Sequence, residues 1–163
     1  MTWNVSTSIL PYCGNVNPMN WKTASLVALV VLIACIWWLF FSKSIFGTSA
    51  ITIAIQVLAI SLMIWARVTF GMRSFHAAAS PTAGGLVKSG PYRFIRHPIY
   101  AAILYFLWAG IAAHLSGVSV GVGLLASAMT VLRMLAEEKL LVRTYPEYEE
   151  YARTTKRLIP FLF

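Results

Sequence analysis

Long uncharged runs of apolar residues alternate with short polar segments along the chain. The first run covers residues 23–41, and the second covers residues 45–66 with one amide, Gln56, inside it. Each is close to the roughly 20 residues with which an α-helix crosses a bilayer core. The β-branched stretch at residues 51–55 would suit a strand in water, but an unpaired strand cannot cross lipid. Both runs therefore predict membrane-spanning helices.

The third uncharged run holds 36 residues between Arg96 and Arg133. As one helix it would be about 54 Å long, well beyond a bilayer core. Residues 114–117 supply a break, so the run predicts a helical hairpin with arms at residues 98–113 and 118–136. Small residues in the second arm favour close helix packing. We predict a single all-α domain, residues 1–163, built as a multi-pass membrane bundle of about four helices.

Composition and charge agree with a membrane protein. The chain is 59% hydrophobic and 11% charged, whereas a soluble domain carries about 25% charged residues. A net charge of +8 would suggest nucleic acid for a soluble protein, but here the basic residues flank apolar runs, which indicates lipid headgroups instead. The positive-inside bias places the loop 67–97, the tail 137–163 and both termini on the cytoplasmic side of the membrane.

The first candidate site precedes the hairpin. Pro98 suits the first turn of a helix, which puts Arg96 and His97 beside the free N–H groups of a helix start. Such a position favours a carboxylate or a phosphate. An alternative is that the arginines only fix the topology and His97 is an incidental neighbour.

The second candidate site lies at the inner end of the fourth span. Arg133 and Glu137 are four residues apart, within ion-pair reach on one helix face, and charges at such depth are usually paired or functional. A simple interfacial salt bridge is the alternative. Glu138, beside Lys139, is expected to face the headgroups.

The third candidate segment is the C-terminal tail, which is predicted to lie on the same side of the membrane as the other two. Residues 147–157 predict a short amphipathic helix with Tyr148 and Tyr151 on one side, either near the site or as an aromatic anchor on the membrane surface. The sequence has no Cys-x-x-Cys, HExxH or glycine-rich phosphate motif, and its three histidines are scattered. We therefore predict no metal site.

Taken in order, these segments resemble the isoprenylcysteine carboxyl methyltransferase family, and they match the compact prokaryotic members better than the eukaryotic enzymes with extra N-terminal spans. The similarity runs from about Arg67 to Phe163. The matching pieces are Leu86 and Val87, then Gly90, Pro91 and Tyr92, then Arg96, His97, Pro98 and Tyr100, then residues 133–138, Tyr148 with Tyr151, and Arg157 with Pro160.

The resemblance implies that the protein is a methyltransferase that uses S-adenosylmethionine. Arg133 and Glu137 are the implied catalytic residues, with Arg133 on the side of the methyl acceptor. The implied acceptor is a lipophilic or isoprenoid molecule that arrives from the bilayer, and its reacting group is a carboxylate, an amine or a thiol. The implied cofactor-binding residues are Gly90, Pro91, Tyr92, Arg96, His97, Tyr100, Glu137, Glu138 and Tyr148.

Two other functions compete with this interpretation. Sterol reductases share the hairpin-and-tail architecture and bind NADPH, but they tend to have Arg-His-x-Asn-Tyr where this chain has Pro98 and Ile99 between His97 and Tyr100. A non-enzymatic membrane protein, such as a transporter subunit, would be expected to carry polar groups near the bilayer midplane. Only Gln56 lies that deep in this sequence.

Overall fold

The described part of the protein, residues 20–71 and 85–159 of a computed structural model, is built from helices. Within it the only strand-like feature is one parallel bridge between Ile95 and Lys156. The predicted all-α fold is therefore confirmed, including helix at the β-branched residues 51–55. The elements are α1 (Trp21–Phe41), α2 (Ala50–Phe70), a 3-10 turn (Gly90–Arg93), α3 (Pro98–Ala113), α4 (Gly117–Thr144) and α5 (Tyr148–Thr154).

The protein is an integral membrane protein. Helices α1, α2 and α4 are long and apolar enough to cross a membrane, and α3 is a shorter apolar helix of 16 residues. Large apolar side chains cover the outside of the bundle, as on α1, where Phe41 is 70% exposed, and on α2, where Val68 is 75% exposed. Such surfaces are stable facing lipid, which is as apolar as the side chains themselves.

Helix α4 extends beyond the predicted end of the fourth span at residue 136 and stops at Thr144. No Gly or Pro interrupts the sequence until Pro146, and the intervening Glu, Lys and Leu residues are good helix formers. Glu137 and Glu138 therefore lie on α4 itself rather than in a tail. The predicted tail helix is shorter than residues 147–157, because α5 ends at Thr154. Pro160, at the end of the tail motif, and residues 72–84 of the long loop lie outside the described residues.

The helices pack in two pairs, α1 against α4 and α2 against α3. A core of aliphatic side chains joins the pairs and includes Leu32, Leu39, Leu107 and Ile111. The predicted hairpin break is confirmed, since α3 ends at Ala113 and α4 begins at Gly117. Ser116 caps α4 by accepting a hydrogen bond from the Ser119 N–H at 3.1 Å.

The loop between α1 and α2 folds back onto α3 at the hairpin end of the bundle. Gly110 permits this close approach, because a Cβ at that position would lie 2.2 Å from the carbonyl oxygen of Ile45. Gln56 secures the loop by accepting from the Gly47 N–H at 2.9 Å and donating to the Ile45 carbonyl at 2.7 Å and the Phe106 carbonyl at 3.1 Å. Gln56 thus has structural partners on α3 and in the loop before α2.

Candidate active site

The polar residues predicted to carry chemistry meet at the end of the bundle opposite the hairpin turn. The chain after α5 returns to the segment before α3, where the N–H of Arg96 donates to the Lys156 carbonyl at 2.7 Å and the N–H of His97 donates to the Arg157 carbonyl at 3.1 Å. The phenol of Tyr105 donates to the Leu158 carbonyl at 2.8 Å. The tail is therefore held against the start of α3.

Two guanidinium groups and one imidazole surround the carboxylate of Glu138. Its Oε1 lies 3.1 Å from Nε of Arg96 and 3.2 Å from Nε2 of His97, and its Oε2 lies 3.1 Å from a terminal nitrogen of Arg157. The side chains of Arg96, His97 and Glu138 are only 8%, 4% and 12% exposed. Charges buried to this extent are stable only when they are paired and hydrogen-bonded. The expectation that Glu138 faces the headgroups was wrong, because the folded-back tail and the start of α3 enclose it.

Arg96 also joins the cluster to α5. One of its terminal nitrogens donates to the carbonyl of Ala152 at 2.6 Å and also to that of Thr155. The guanidinium thus connects the start of α3, the end of α4 and the tail helix. Its position fixes the relative placement of the three segments that carry the predicted site residues.

A second polar group lies beside the first, one turn deeper along α4. The phenol of Tyr100 donates to Oε2 of Glu137 at 2.9 Å and accepts from Nε of Arg133 at 3.3 Å. A terminal nitrogen of Arg133 donates to the backbone carbonyl of Ser25 at 3.0 Å, and Arg133 as a whole is 7% exposed. Tyr100 therefore bridges the predicted pair, Arg133 and Glu137.

Glu137 offers a carboxylate oxygen to a ligand. Tyr100 engages its Oε2, and no donor within residues 20–71 and 85–159 bonds its Oε1. The residue as a whole is half-buried. An anionic oxygen in this setting suits an ammonium or a hydroxyl.

Buried tyrosines form the tail side of the site. Tyr151 donates to the Tyr92 carbonyl at 2.6 Å, and burial raises the pKa of Tyr151 to about 12. Tyr148 is 2% exposed, and its hydroxyl has no hydrogen-bond partner among the described residues. Burial raises the pKa of Tyr148, and the negative charge of Glu138 raises it further. Its phenol therefore stays neutral and keeps its proton as a hydrogen-bond donor.

The Gly90, Pro91 and Tyr92 turn supports the same end of the bundle. Pro91 and Tyr92 are buried, and the Tyr92 ring lies 5.4 Å from the Phe70 ring between centroids. Gly90 has a φ of 58°, and a Cβ there would lie 2.5 Å from Oγ1 of Thr69. A glycine is therefore needed where the loop turns against α2.

The structure thus gathers most of the predicted residues into two contacting groups, one around Glu138 and one around Tyr100. Sequence reasoning missed Ser25, Tyr105 and Lys156. Ser25 lies in an apolar helix, and the other two take part through a tail whose return path has no local sequence signal. Within the described ranges, no group of three or more His, Cys, Asp or Glu residues is placed to hold a metal ion.

Comparison with known proteins gives one family match. The model of the "Isoprenylcysteine carboxyl methyltransferase (ICMT) family" matches residues 50–143, which include α2, α3 and nearly all of α4. No solved structure matches the chain significantly.

Two curated relatives are similar over part of the chain. One is the cobalt-zinc-cadmium resistance protein CzcN of Cupriavidus metallidurans, 35% identical over 78 residues, which are 47% of this chain and 36% of the relative. The other is the nickel-cobalt-cadmium resistance protein NccN of Alcaligenes xylosoxydans xylosoxydans, 32% identical over 90 residues, which are 47% of this chain and 37% of the relative. The similarity thus spans little more than a third of either relative.

Proposed function

The chain belongs to the isoprenylcysteine carboxyl methyltransferase family, and from this premise we propose that it is an S-adenosylmethionine-dependent methyltransferase that acts on a lipophilic acceptor. The observation that supports this most is the series Arg133, Tyr100 and Glu137, linked by hydrogen bonds of 3.3 and 2.9 Å. It places a buried guanidinium and a half-buried carboxylate on either side of one phenol, an arrangement that suits one anionic and one cationic ligand group.

The residues present fit the cofactor. S-adenosylmethionine carries an ammonium, a carboxylate and sugar hydroxyls, and the site offers the free Oε1 of Glu137 and the unpartnered phenol of Tyr148. We propose that Glu137 binds the ammonium and that Tyr148 donates to an oxygen of the cofactor. His97 and the turn at Gly90, Pro91 and Tyr92 would complete the cofactor side.

Arg96 and Glu138 have a different proposed role. Both are already bonded within the protein, to each other and to the tail. We propose that they chiefly position the tail and α3 around the cofactor, and their direct contact with it stays a prediction.

The proposed methyl transfer depends more on electrostatic binding and alignment of the methyl donor and acceptor than on proton transfer. When bound, the cofactor supplies a methyl group on a positively charged sulfur, which leaves as a neutral thioether. A carboxylate acceptor is already ionised, so it needs no general base. The work of the chain is then to hold the acceptor in line and to exclude water. Arg133 is suited to hold a carboxylate because it is a buried, permanently charged group.

The location of the site fits an acceptor dissolved in the membrane. Arg133 and Glu137 lie near the end of a helix long and apolar enough to span the membrane, where lipid and water meet. We propose that this end faces the cytoplasm, because the basic residues before α3 and after α4 gather there. The names of the two relatives concern metal resistance and state no reaction, so the acceptor is proposed from the site alone.

Methyl transfer by the purified protein tests the proposal. The chain in nanodiscs is supplied with S-adenosylmethionine labelled in its methyl group, together with N-acetyl-S-farnesylcysteine or with lipids extracted from the expression host. We expect label to enter an organic-soluble product, as a base-labile ester if the acceptor is a carboxylate. Absence of any labelled product with each acceptor, and of cofactor binding, would contradict the proposal.

A further inference from the structure

Ser25 differs from the other hydroxyl residues of the helices. The hydroxyls of several helical Ser and Thr residues each donate to the backbone carbonyl four residues earlier, namely those of Ser61, Thr69, Ser127, Thr130 and Thr144. This bond is the usual way to satisfy a hydroxyl inside a helix. The hydroxyl of Ser25, on α1, makes no such bond and has no partner among the described residues, although the residue is 0% exposed.

The unpartnered hydroxyl belongs to the residue that Arg133 contacts. A terminal nitrogen of Arg133 donates to the backbone carbonyl of Ser25 at 3.0 Å. That carbonyl also lies within helix α1, so Arg133 bonds an oxygen that the helix itself uses. An anionic oxygen attracts a guanidinium more strongly than a neutral carbonyl does, and it would replace this contact.

We infer that Ser25 and Arg133 together form the headgroup subsite for the methyl acceptor, in which the hydroxyl and the guanidinium bind the two oxygens of a lipophilic carboxylate. The inference rests on the proposed methyltransferase function and adds a residue that determines acceptor specificity. The Arg133 guanidinium bonds the backbone of the same residue whose buried hydroxyl has no partner among the described residues. A buried hydroxyl without a hydrogen-bond partner is unfavourable. A ligand oxygen that accepts from the Ser25 hydroxyl would explain why this position carries a serine.

One of the two subsite residues, Ser25, lies outside the part of the chain that matches the family model. The family model begins at residue 50, whereas Ser25 is in α1, which packs against α4. The cofactor side of the site is thus built from family residues, and one wall of the acceptor side comes from a helix that precedes them. Acceptor choice would therefore differ between family members that differ in this helix.

Binding of a matched pair of ligands tests the inference. N-acetyl-S-farnesylcysteine and its methyl ester share the farnesyl chain and differ in headgroup charge. We expect Ser25→Ala, in the full chain in nanodiscs, to raise the Kd of the carboxylate by at least about tenfold, the size of a lost hydrogen bond to a charged group. The Kd of the ester and that of S-adenosylmethionine should change less than about twofold.

Thr130→Val is the matched control, because it removes a fully buried hydroxyl that has its own partner, the Ala126 carbonyl at 2.8 Å. It should leave the preference for the carboxylate unchanged. Ser25→Ala should also keep or raise the thermal stability, since it removes an unsatisfied group, so weaker binding would not reflect unfolding.

Two results would overturn the inference: an unchanged Kd of the carboxylate in Ser25→Ala, or equal weakening of the carboxylate and the ester. Failure of the parent to bind the carboxylate would overturn it as well. If the parent binds S-adenosylmethionine in any of these cases, only the subsite is wrong. If the parent binds no S-adenosylmethionine, the proposed function fails, whatever Ser25→Ala does.

Discussion

The phenol of Tyr100 donates a hydrogen bond to the carboxylate of Glu137 at 2.9 Å. The bond joins the first turn of α3 to α4 near its polar end, and the same phenol accepts from Arg133 at 3.3 Å. Tyr100 therefore orients both residues that the family resemblance marks as catalytic. The other carboxylate oxygen of Glu137 has no hydrogen-bond donor among the described residues.

Removing the Tyr100 hydroxyl should weaken cofactor binding. In Tyr100→Phe, Glu137 loses the donor that fixes its orientation, and we expect the Kd of S-adenosylmethionine to rise about three- to tenfold, as one hydrogen bond of about 1 kcal/mol implies. Calorimetric titration of the purified protein measures the change. Tyr105→Phe is the matched control, because its phenol bonds the Leu158 carbonyl instead. An equal loss of affinity in the two variants would show that Tyr100 has no special role.

Neutralising Glu138 should release the tail. Glu138→Gln leaves Arg96 and His97 buried without their anion, and breaking a buried ion pair typically costs about 3–5 kcal/mol. We expect a lower unfolding temperature and faster trypsin cleavage at the exposed Arg153 and Lys156. Glu149→Gln, on the exposed side of α5, should behave as the parent. Parent-like cleavage of Glu138→Gln would mean that the cluster does not hold the tail.

The turn at Gly90 should depend on Thr69. Gly90→Ala places a side chain at a φ of 58° and 2.5 Å from the Thr69 hydroxyl oxygen, so we expect a loss of about 2 kcal/mol from backbone strain and overpacking. In a Thr69→Ala background the clash is relieved and the loss should fall to about 1 kcal/mol, the strain alone. Thermal unfolding of the four proteins in this double-mutant cycle measures both terms. Strictly additive losses would show that the two residues do not touch.

Much of the fold follows from local patterns. The uncharged runs locate α1 closely, and the polar residues 114–117 mark the turn between α3 and α4. The second run, residues 45–66, overlaps α2, which begins later and ends later, at Ala50–Phe70. These features are predictable because each depends on segment length and on residues adjacent in sequence. The helix of α4 continues past the predicted span, residues 118–136, to Thr144, because the residues that follow the apolar run keep a high helical propensity.

The sequence predicted which residues form the site but not how their side chains contact one another. Family motifs named Arg96, His97, Tyr100, Arg133 and Glu137, and the family assignment is confirmed. The partners of Glu138 depend on the return of the tail to the start of α3, a long-range contact without a sequence signal. The unpartnered hydroxyl of Ser25 is a property of packing between α1 and α4, and a serine in an apolar run does not reveal it.

Equilibrium binding of S-adenosylmethionine, S-adenosylhomocysteine and NADPH to the parent, Glu137→Ala and Arg133→Ala proteins in nanodiscs tests the central claim most directly. We expect saturable binding of the first two ligands to the parent and to Arg133→Ala, and at least tenfold weaker binding to Glu137→Ala, since that variant loses a charged hydrogen bond of about 1.5–3 kcal/mol. Methyl transfer should be lost in Arg133→Ala. Saturable binding of NADPH alone would contradict the account and assign the protein to the reductases, and binding of none of the three would leave it without a cofactor.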